Sequence, residues 1–356
     1  PPLSKAYLAG KSTLDELAIR NADFYSKQGI QVLNATVEAI DRSGGHLSLS
    51  TGGALAYDQL ALCTGARPRR LPTPGANLAG VYYLRTVADV EMIRVAAHAG
   101  RRAVIIGGGY IGLETAASLR ALGLEVTVLE ATGRVLERVT APEVSAFFDR
   151  IHRQEGVKIR TGVLVEVLSG EDRVREVVLS GGESIPADLV IVGIGVEPNT
   201  DLAAAAGLVI DNGVVIDDQA RTSDPDIVAA GDCASHSMAR YSRPLRQESV
   251  PSAHEQAKVA AATVCGKSKK IAALPWFWSD QYDLKLQIAG LNTGYDEVIL
   301  SGDPTRDRDF TCFYLREGEL IGADCINRPR DFMFSKRVIT QQLPIDRTEL
   351  ALASSA

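Results

Sequence analysis

The sequence predicts an α/β protein with a parallel sheet, followed by a mainly antiparallel α+β segment. A glycine-rich turn within residues 102–114 separates a hydrophobic run from a helix-forming segment, and a second hydrophobic run follows at 125–130. Strands that alternate with helices are typical of parallel sheets. After Pro275 the pattern changes to short strands joined by turns, which indicates antiparallel pairing.

The glycine-rich turn has the spacing of a dinucleotide-binding loop. Residues 104–106 are predicted to form a buried strand, and Gly107, Gly109 and Gly112 follow it as G-x-G-x-x-G. The first glycine permits a tight turn, the second lets a pyrophosphate approach the backbone, and the third lets the helix pack on the strand. The predicted helix covers residues 110–122 and ends at Gly123.

The predicted strand 125–130 ends in Glu130. A carboxylate roughly 20 residues beyond the glycines hydrogen-bonds the ribose 2'-hydroxyl and repels a 2'-phosphate. The sequence therefore predicts NAD rather than NADP as the nucleotide.

Composition indicates a globular enzyme. The 356 residues are 46% hydrophobic and 23% charged, with a net charge of −6, which argues against nucleic-acid binding. There is no apolar run of about 20 residues and no basic segment leading into an apolar one at the start, so we expect no membrane contact and a cytoplasmic protein. The five scattered cysteines disfavour a metal site, an iron–sulfur cluster or a redox dithiol.

Further elements are predicted from local pattern. Helices are expected at residues 14–28, 251–265 and after Pro329, and strands at 31–39, 47–49, 60–63, 159–168, 174–179, 188–192, 226–230, 284–289 and 297–300, with a hairpin of 310–315 and 319–326.

Several strings spread along the chain carry a family resemblance: PPLSK at residue 1, IIGGGYIGLE at 105, TSDPDIVAAGDCA at 222, ESVPSAHEQA at 248 and PWFWSDQY at 275. With them the chain resembles the FAD-dependent pyridine-nucleotide reductases of the glutathione-reductase superfold, and among these the NADH-dependent ferredoxin reductases of the putidaredoxin-reductase type. The resemblance implies two Rossmann-like dinucleotide-binding domains and a C-terminal α+β interface domain. The FAD domain would comprise 1–92 and 217–274, the inserted NAD domain 93–216 and the interface domain 275–356.

One departure from the family affects the FAD domain. In the family, PPLSK follows a βαβ unit of about forty residues with its own G-x-G-x-x-G for the FAD pyrophosphate. We therefore expect this sequence to be an N-terminally incomplete copy whose FAD domain lacks its first βαβ, and to bind flavin weakly or not at all by itself.

The resemblance also implies the catalytic residues. Lys5 would lie near flavin N5 and pair with Glu114, and Trp278 would lie beside the isoalloxazine where electrons leave. Disulfide reductases carry a cysteine pair where this chain has Ser4 and Lys5, so reduction through a dithiol is excluded.

Two larger sets of binding residues follow from the same likeness. The FAD set is Lys5, Val37, Thr64, Gly65, Arg85, Asp232, Val250 and Trp278. The NAD set is Gly107, Gly109, Tyr110, Ile111, Gly112, Glu114, Glu130 and Gly195, with Tyr110 shielding the flavin until NADH arrives.

The resemblance implies an FAD-dependent enzyme that passes electrons from NADH to a 2Fe–2S ferredoxin, which would feed a cytochrome P450 or a Rieske ring-hydroxylating oxygenase. A patch of Lys258, Trp278 and Arg328 is a candidate docking surface for that partner. Two alternatives stay open: a rubredoxin or monodehydroascorbate reductase, and a flavoprotein whose binding to a partner responds to NADH.

Overall fold

The computed structural model describes residues 2–241 and 243–352, so Pro1 of the PPLSK string and the end of the predicted interface domain lie outside the described residues. The α-helices are α1 Ala22–Lys27, α2 Val87–Ala96, α3 Tyr110–Ala121, α4 Pro142–Gln154, α5 Asp201–Ala205, α6 Val250–Val264, α7 Pro329–Gln341 and α8 Arg347–Leu352. Short 3-10 helices cover Pro2–Ser4, Asp15–Leu17 and Ala239–Tyr241.

The strands are β1 Val37–Asp41, β2 His46–Leu49, β3 Ala54–Ala56, β4 Leu60–Leu62, β5 Ala66–Pro68, β6 Val81–Tyr83, β7 Arg102–Ile106, β8 Glu125–Leu129, β9 Lys158–Arg160, β10 Val165–Ser169, β11 Glu176–Leu179, β12 Ser184–Pro186, β13 Leu189–Val192, β14 Val196–Pro198, β15 Val214–Ile216, β16 Ile227–Ala229, β17 Ala234–Met238, β18 Arg243–Leu245, β19 Trp276–Gln281, β20 Leu284–Gly290, β21 Glu297–Ser301, β22 Phe310–Arg316 and β23 Glu319–Ile326. The α/β fold class is confirmed.

The chain divides into two compact units, each made of several segments. The first unit comprises Pro1–Glu16, Pro68–Gly195 and Trp276–Ala356, and the second comprises Leu17–Arg67 and Val196–Pro275.

The first unit contains a parallel sheet of Rossmann type. Its strand order is β6-β13-β7-β8-β9, and every pair is parallel. From β9 to β13 this is the 3-2-1-4 order of a dinucleotide-binding fold. The order reverses between β7 and β13, and ligands bind such sheets in the crevice at that point, beyond the carboxyl ends of the strands.

Burial explains why these segments are strands and why α3 packs on them. All four residues of β13 are buried, as expected for a central parallel strand covered on both faces. Helix α3 buries Leu113 and Leu119 completely. The next helix back, α2, begins with a capping box in which Thr86 and Asp89 satisfy each other's backbone N–H groups.

The first unit also contains a five-stranded antiparallel sheet, ordered β19-β20-β23-β22-β21. The predicted hairpin is confirmed, with Glu317 (φ 54°) and Gly318 (φ 82°) at its turn. Successive positive φ angles match the right-handed twist of a tight hairpin.

The second unit is built from smaller sheets around one apolar core. Strands β1, β2 and β3 form an antiparallel sheet, β15 and β17 pair in parallel with β18 added antiparallel, and β4 pairs with β16 in parallel. Helix α6 contributes Val259 and Ala260 to the core.

Three sequence-based element predictions were wrong. No single helix spans 14–28, because helix α1 begins only at Ala22, where the Asn21 side chain caps the backbone N–H of Phe24. The strand expected at 31–39 begins at Val37, since apolar Val32 is 71% exposed and enters no ladder. The strand expected at 159–168 is divided into β9 and β10, because Gly162 turns the chain with φ 68°.

A buried carboxylate joins the antiparallel sheet to the segment before α4. Asp324 on β23 is 1% exposed and accepts hydrogen bonds from Tyr314 (2.5 Å) and from Thr140. The Tyr314 hydroxyl in turn accepts from the backbone N–H of Ala141 at 3.2 Å. Burial raises the pKa of Asp324 to about 6 despite these donors.

Asp324→Asn should therefore change how stability depends on pH. The folded protein binds the Asp324 proton more tightly than the unfolded chain, so the contribution of Asp324 to wild-type stability falls as pH rises from about 4 through 6. The stability of the variant minus that of the wild type should grow by about 3 kcal/mol between pH 4 and 7, as measured by urea unfolding. Glu319→Gln, at the exposed start of β23, is the matched control and should show no such trend. A pH-independent difference for Asp324→Asn would contradict the assignment.

Candidate functional site

The glycine loop after β7 is shaped by two close backbone contacts. Gly107 has a φ of 111°, and a Cβ there would lie 2.3 Å from the carbonyl oxygen of Gly193 in the loop after β13. A Cβ on Gly112 would lie 2.0 Å from the carbonyl oxygen of Gly107. Both positions therefore require glycine, one for the turn and one for the packing of α3 on β7.

Gly109 differs because it faces open space. It is the N-cap of α3 with no side-chain cap, and a Cβ built on it meets no atom within 4 Å. Helix N-termini carry free N–H groups and a partial positive charge that suit a phosphate. The loop and the start of α3 thus fit a dinucleotide pyrophosphate, with Tyr110 and the exposed side chain of Ile111 next to it.

Glu130 lies against this loop. One carboxylate oxygen accepts from the backbone N–H of Gly108 at 2.6 Å, and the other accepts from the N–H and the hydroxyl of Thr132, both at 2.8 Å. The Glu130 carboxylate thus accepts three hydrogen bonds from the turn around it. This acidic side chain is therefore held beside the glycine loop, where the sequence analysis expected one.

Lys5 and Glu114 form a shielded ion pair within the first unit. Their charged groups lie 3.2 Å apart, with 12% of the Lys5 and 5% of the Glu114 side chain exposed. The Glu114 carboxylate also accepts from the hydroxyls of Ser4 and Ser279, each at 2.6 Å. Burial raises the pKa of Glu114, and the Lys5 ammonium and the two hydroxyls oppose that shift.

Trp278 and Asp280 surround the same ammonium from β19. The Lys5 nitrogen lies 5.5 Å from the centroid of the Trp278 ring and 3.4 Å from a carboxylate oxygen of Asp280. Trp276 lies 5.6 Å from Trp278, ring to ring. The sequence analysis missed Asp280 and Ser279, although strand alternation places residues 278 and 280 on one face.

A cleft of about 400 Å³ opens beside this cluster. Its wall includes Lys5, Glu114, Ser118, Trp278, Asp280 and Tyr282. A cation with an aromatic ring beside it fits a redox-active ring system that gains negative charge on reduction.

Three other predicted residues lie in the first unit. The Tyr110 ring packs against the Phe277 ring in a tilted arrangement, with the ring centroids 5.0 Å apart, and the Tyr110 hydroxyl is buried without a hydrogen-bond partner among the described residues. Gly195 has a φ of 97°, and its carbonyl accepts from the backbone N–H of Arg69. The backbone N–H of Arg85 donates to Asp89 at the start of α2.

The remaining residues predicted to bind FAD lie in the second unit. Val37 begins β1, and Val250 begins α6, which Ser249 caps. Thr64 donates its hydroxyl to the carbonyl of Asn199 at 2.7 Å. The last two are Gly65, with φ 65°, and Asp232, whose carbonyl accepts from Arg246. The 15-residue α6 presents an N-terminus that suits a partial negative charge.

Neither a cluster of metal-binding side chains nor a membrane-spanning helix is present among the described residues. Residues 2–241 and 243–352 contain no group of three or more His, Cys, Asp or Glu side chains arranged for a metal ion. Every helix in the same ranges is too short or too polar to cross a membrane.

Comparison with known proteins gives consistent matches along the chain. A family model described as pyridine nucleotide-disulphide oxidoreductase matches residues 1–257, and one described as reductase C-terminal matches 276–355. Putidaredoxin reductase of Pseudomonas putida is 49% identical over 353 residues, which are 97% of this chain and 83% of the relative. A ferredoxin–NAD(P)(+) reductase of a Sphingomonas species is 42% identical over 350 residues, 97% of this chain and 84% of the relative. The crystal structure of the covalent putidaredoxin reductase–putidaredoxin complex matches with a TM-score of 0.95 and 48% identity, covering 99% of this chain and 86% of that one.

The glycine loop makes a paired prediction. Gly109→Ala should leave stability nearly unchanged, because the new methyl group meets no atom, but should weaken NADH binding about tenfold or more where the backbone meets the pyrophosphate. Gly112→Ala should lower the free energy of unfolding by several kcal/mol, because its methyl group strikes the Gly107 carbonyl. Urea unfolding and NADH titration by fluorescence measure the two effects. Tight NADH binding by Gly109→Ala would place the pyrophosphate elsewhere.

Proposed function

This chain belongs to the pyridine nucleotide-disulphide oxidoreductase family, and we propose that it is an FAD-dependent NADH:ferredoxin oxidoreductase. It takes electrons from NADH and passes them to a small iron–sulfur protein that supplies an oxygenase. The observation that carries this proposal is the shielded Lys5–Glu114 pair beside Trp278, at a place where the family's disulfide reductases carry cysteines. FAD, when bound, accepts the two electrons of a hydride and releases them one at a time.

The residues of the chain have separate tasks in this proposal. Gly109 and the start of α3 bind the pyrophosphate of NADH, and Glu130 binds the ribose. The Lys5 ammonium offsets the negative charge that reduction brings, and Glu114 holds that ammonium in place. Trp278 lies at the electron exit.

These tasks also fall to separate ranges of the chain. Residues 1–92 and 217–274 bind FAD through the set named above, 93–216 bind NADH, and 275–356 face a 2Fe–2S ferredoxin that serves a cytochrome P450 or a Rieske oxygenase. We place the protein in the cytoplasm, where NADH is available and where its five cysteines, all free in the structure, stay reduced.

The decisive assay combines the FAD-loaded protein with NADH and a 2Fe–2S ferredoxin. Ferredoxin should be reduced in an NADH-dependent reaction that slows as salt rises, because oppositely charged surfaces associate more slowly when salt screens their attraction. Reduction of rubredoxin or monodehydroascorbate instead would favour the second reductase class. If none of these acceptors supports NADH oxidation, the result would favour a binding role.

Lys5→Met should slow reduction of the bound flavin about tenfold or more while NADH binding changes little, because the ammonium matters mainly when negative charge develops. Stopped-flow absorbance under single-turnover conditions measures the rate. Lys11→Met, a lysine on the wall of the same cleft, is the matched control and should reduce at the wild-type rate. Equal rates for Lys5→Met and the wild type would remove Lys5 from the reaction.

Glu130 should set the preference for NADH. One like-charge contact with a 2'-phosphate supplies about 1.4 to 3 kcal/mol, so kcat/KM for NADH should exceed that for NADPH by roughly tenfold to a hundredfold. Glu130→Ala should narrow that ratio, while Glu125→Ala, at the other end of β8, should preserve it. A wild-type enzyme that uses NADH and NADPH equally well would contradict the assignment of this role to Glu130.

A further inference from the structure

A chain of hydrogen bonds leads from Glu114 to buried side chains that have no part in the function proposed above. Ser279 lies 2.6 Å from Glu114, and the Gln281 amide nitrogen lies 3.1 Å from the Ser279 oxygen. The Gln281 oxygen lies 2.8 Å from Nε2 of His152, and the Tyr282 hydroxyl lies 3.1 Å from Nδ1 of the same ring.

Chemistry fixes the direction of every bond in this chain. An ionised carboxylate only accepts, so Ser279 donates to Glu114 and its lone pairs accept from the Gln281 amide nitrogen. The Gln281 oxygen therefore faces His152, whose Nε2 must carry the proton and whose Nδ1 accepts from Tyr282. All the donors consequently point toward the carboxylate of Glu114.

Four members of this chain are buried and lie on three different elements. His152 on α4 is 0% exposed, Ser279 and Gln281 on β19 are 1% exposed, and Glu114 on α3 is 4% exposed. Burial lowers the pKa of His152 to about 4, so the ring is neutral near pH 7 and provides the single Nε2–H that the chain requires. Alternation along β19 turns Ser279 and Gln281 away from the face that carries Trp278.

We propose that Ser279, Gln281 and His152 are positioning residues that fix the carboxylate of Glu114 and keep it ionised beside Lys5. Burial alone favours the neutral acid, which would leave the ammonium without its counter-charge. Ser279 supplies a direct hydrogen bond to the charged form, while Gln281 and His152 hold that hydroxyl in its donating orientation. This inference rests on the proposed function only for the role of the Lys5–Glu114 ion pair in the reaction.

The test is an infrared titration of the full chain, with and without added FAD. The carboxylic C=O band of Glu114 is identified by its loss in Glu114→Gln. In Ser279→Ala, the pH at which Glu114 is half protonated should rise by about one to two units, the effect of one hydrogen bond to a charged group. Gln281→Met should shift it in the same direction by a smaller amount.

Two variants separate positioning from a general packing effect. Ser279→Thr keeps a hydroxyl on the strand and should titrate like the wild type. Ser335→Ala removes another buried serine of the first unit, whose hydroxyl has no hydrogen-bond partner within the described part of the chain, and should also titrate like the wild type. Urea unfolding verifies that each variant is folded.

The proposal is overturned if the pH of half protonation of Glu114 is unchanged in Ser279→Ala, or if Ser335→Ala shifts that pH by an equal amount. A shift in Ser279→Ala with none in Gln281→Met overturns the roles of Gln281 and His152. The titration uses neither NADH nor ferredoxin, so a protein that shows the expected shifts but reduces no ferredoxin loses the proposed function and keeps this inference.

Discussion

Removal of the Glu114 carboxylate from water is the constraint on which the first unit depends. A buried ion costs several kcal/mol unless charges and hydrogen bonds compensate it, and hydrogen bonds to a charged group contribute about 1.5 to 3 kcal/mol each. Here Lys5, Ser4 and Ser279 surround the carboxylate. They come from the start of the chain and from β19, so the ion pair ties distant segments to α3.

The position of that helix is in turn set by the glycines before it. Gly112 lets α3 approach the backbone of Gly107, and Gly107 approaches the loop after β13. The parallel sheet therefore fixes the helix, and the helix fixes the carboxylate. The antiparallel sheet also contributes to the environment of the Lys5–Glu114 pair. One face of β19 supplies Ser279, which donates to Glu114, and the other face carries Trp278.

Much of this arrangement was readable from the sequence where local pattern and structure agree. The glycine spacing, the strands beside it and the Glu317-Gly318 hairpin depend on neighbouring residues alone, and all were predicted correctly. The pairing of Lys5 with Glu114 was expected only from a family likeness, because no local pattern links residues so far apart.

The wrong predictions and the missed residues depend instead on tertiary contacts between segments that are distant in the sequence. Exposed Val32 carries a strand-like side chain but finds no ladder, so tertiary context overrides its propensity. Ser279, Gln281 and His152 come together only through the packing of α4, α3 and β19. A serine, a glutamine and a histidine at those positions give no signal of their own, since each is ordinary for its element.

Helix α3 carries the nucleotide loop at its first residue and the counter-ion of Lys5 little more than one turn later. Glu114 follows Gly109 by five positions, a rise of about 7.5 Å along the helix, and a helical segment this short transmits a displacement without bending. Retuning the loop for another nucleotide therefore also moves the charge that steadies Lys5. Selection on cofactor choice and selection on electron transfer therefore act on the same rigid segment of α3. Compensating changes are expected on β19, which contacts the end of that segment through Ser279 and Glu114.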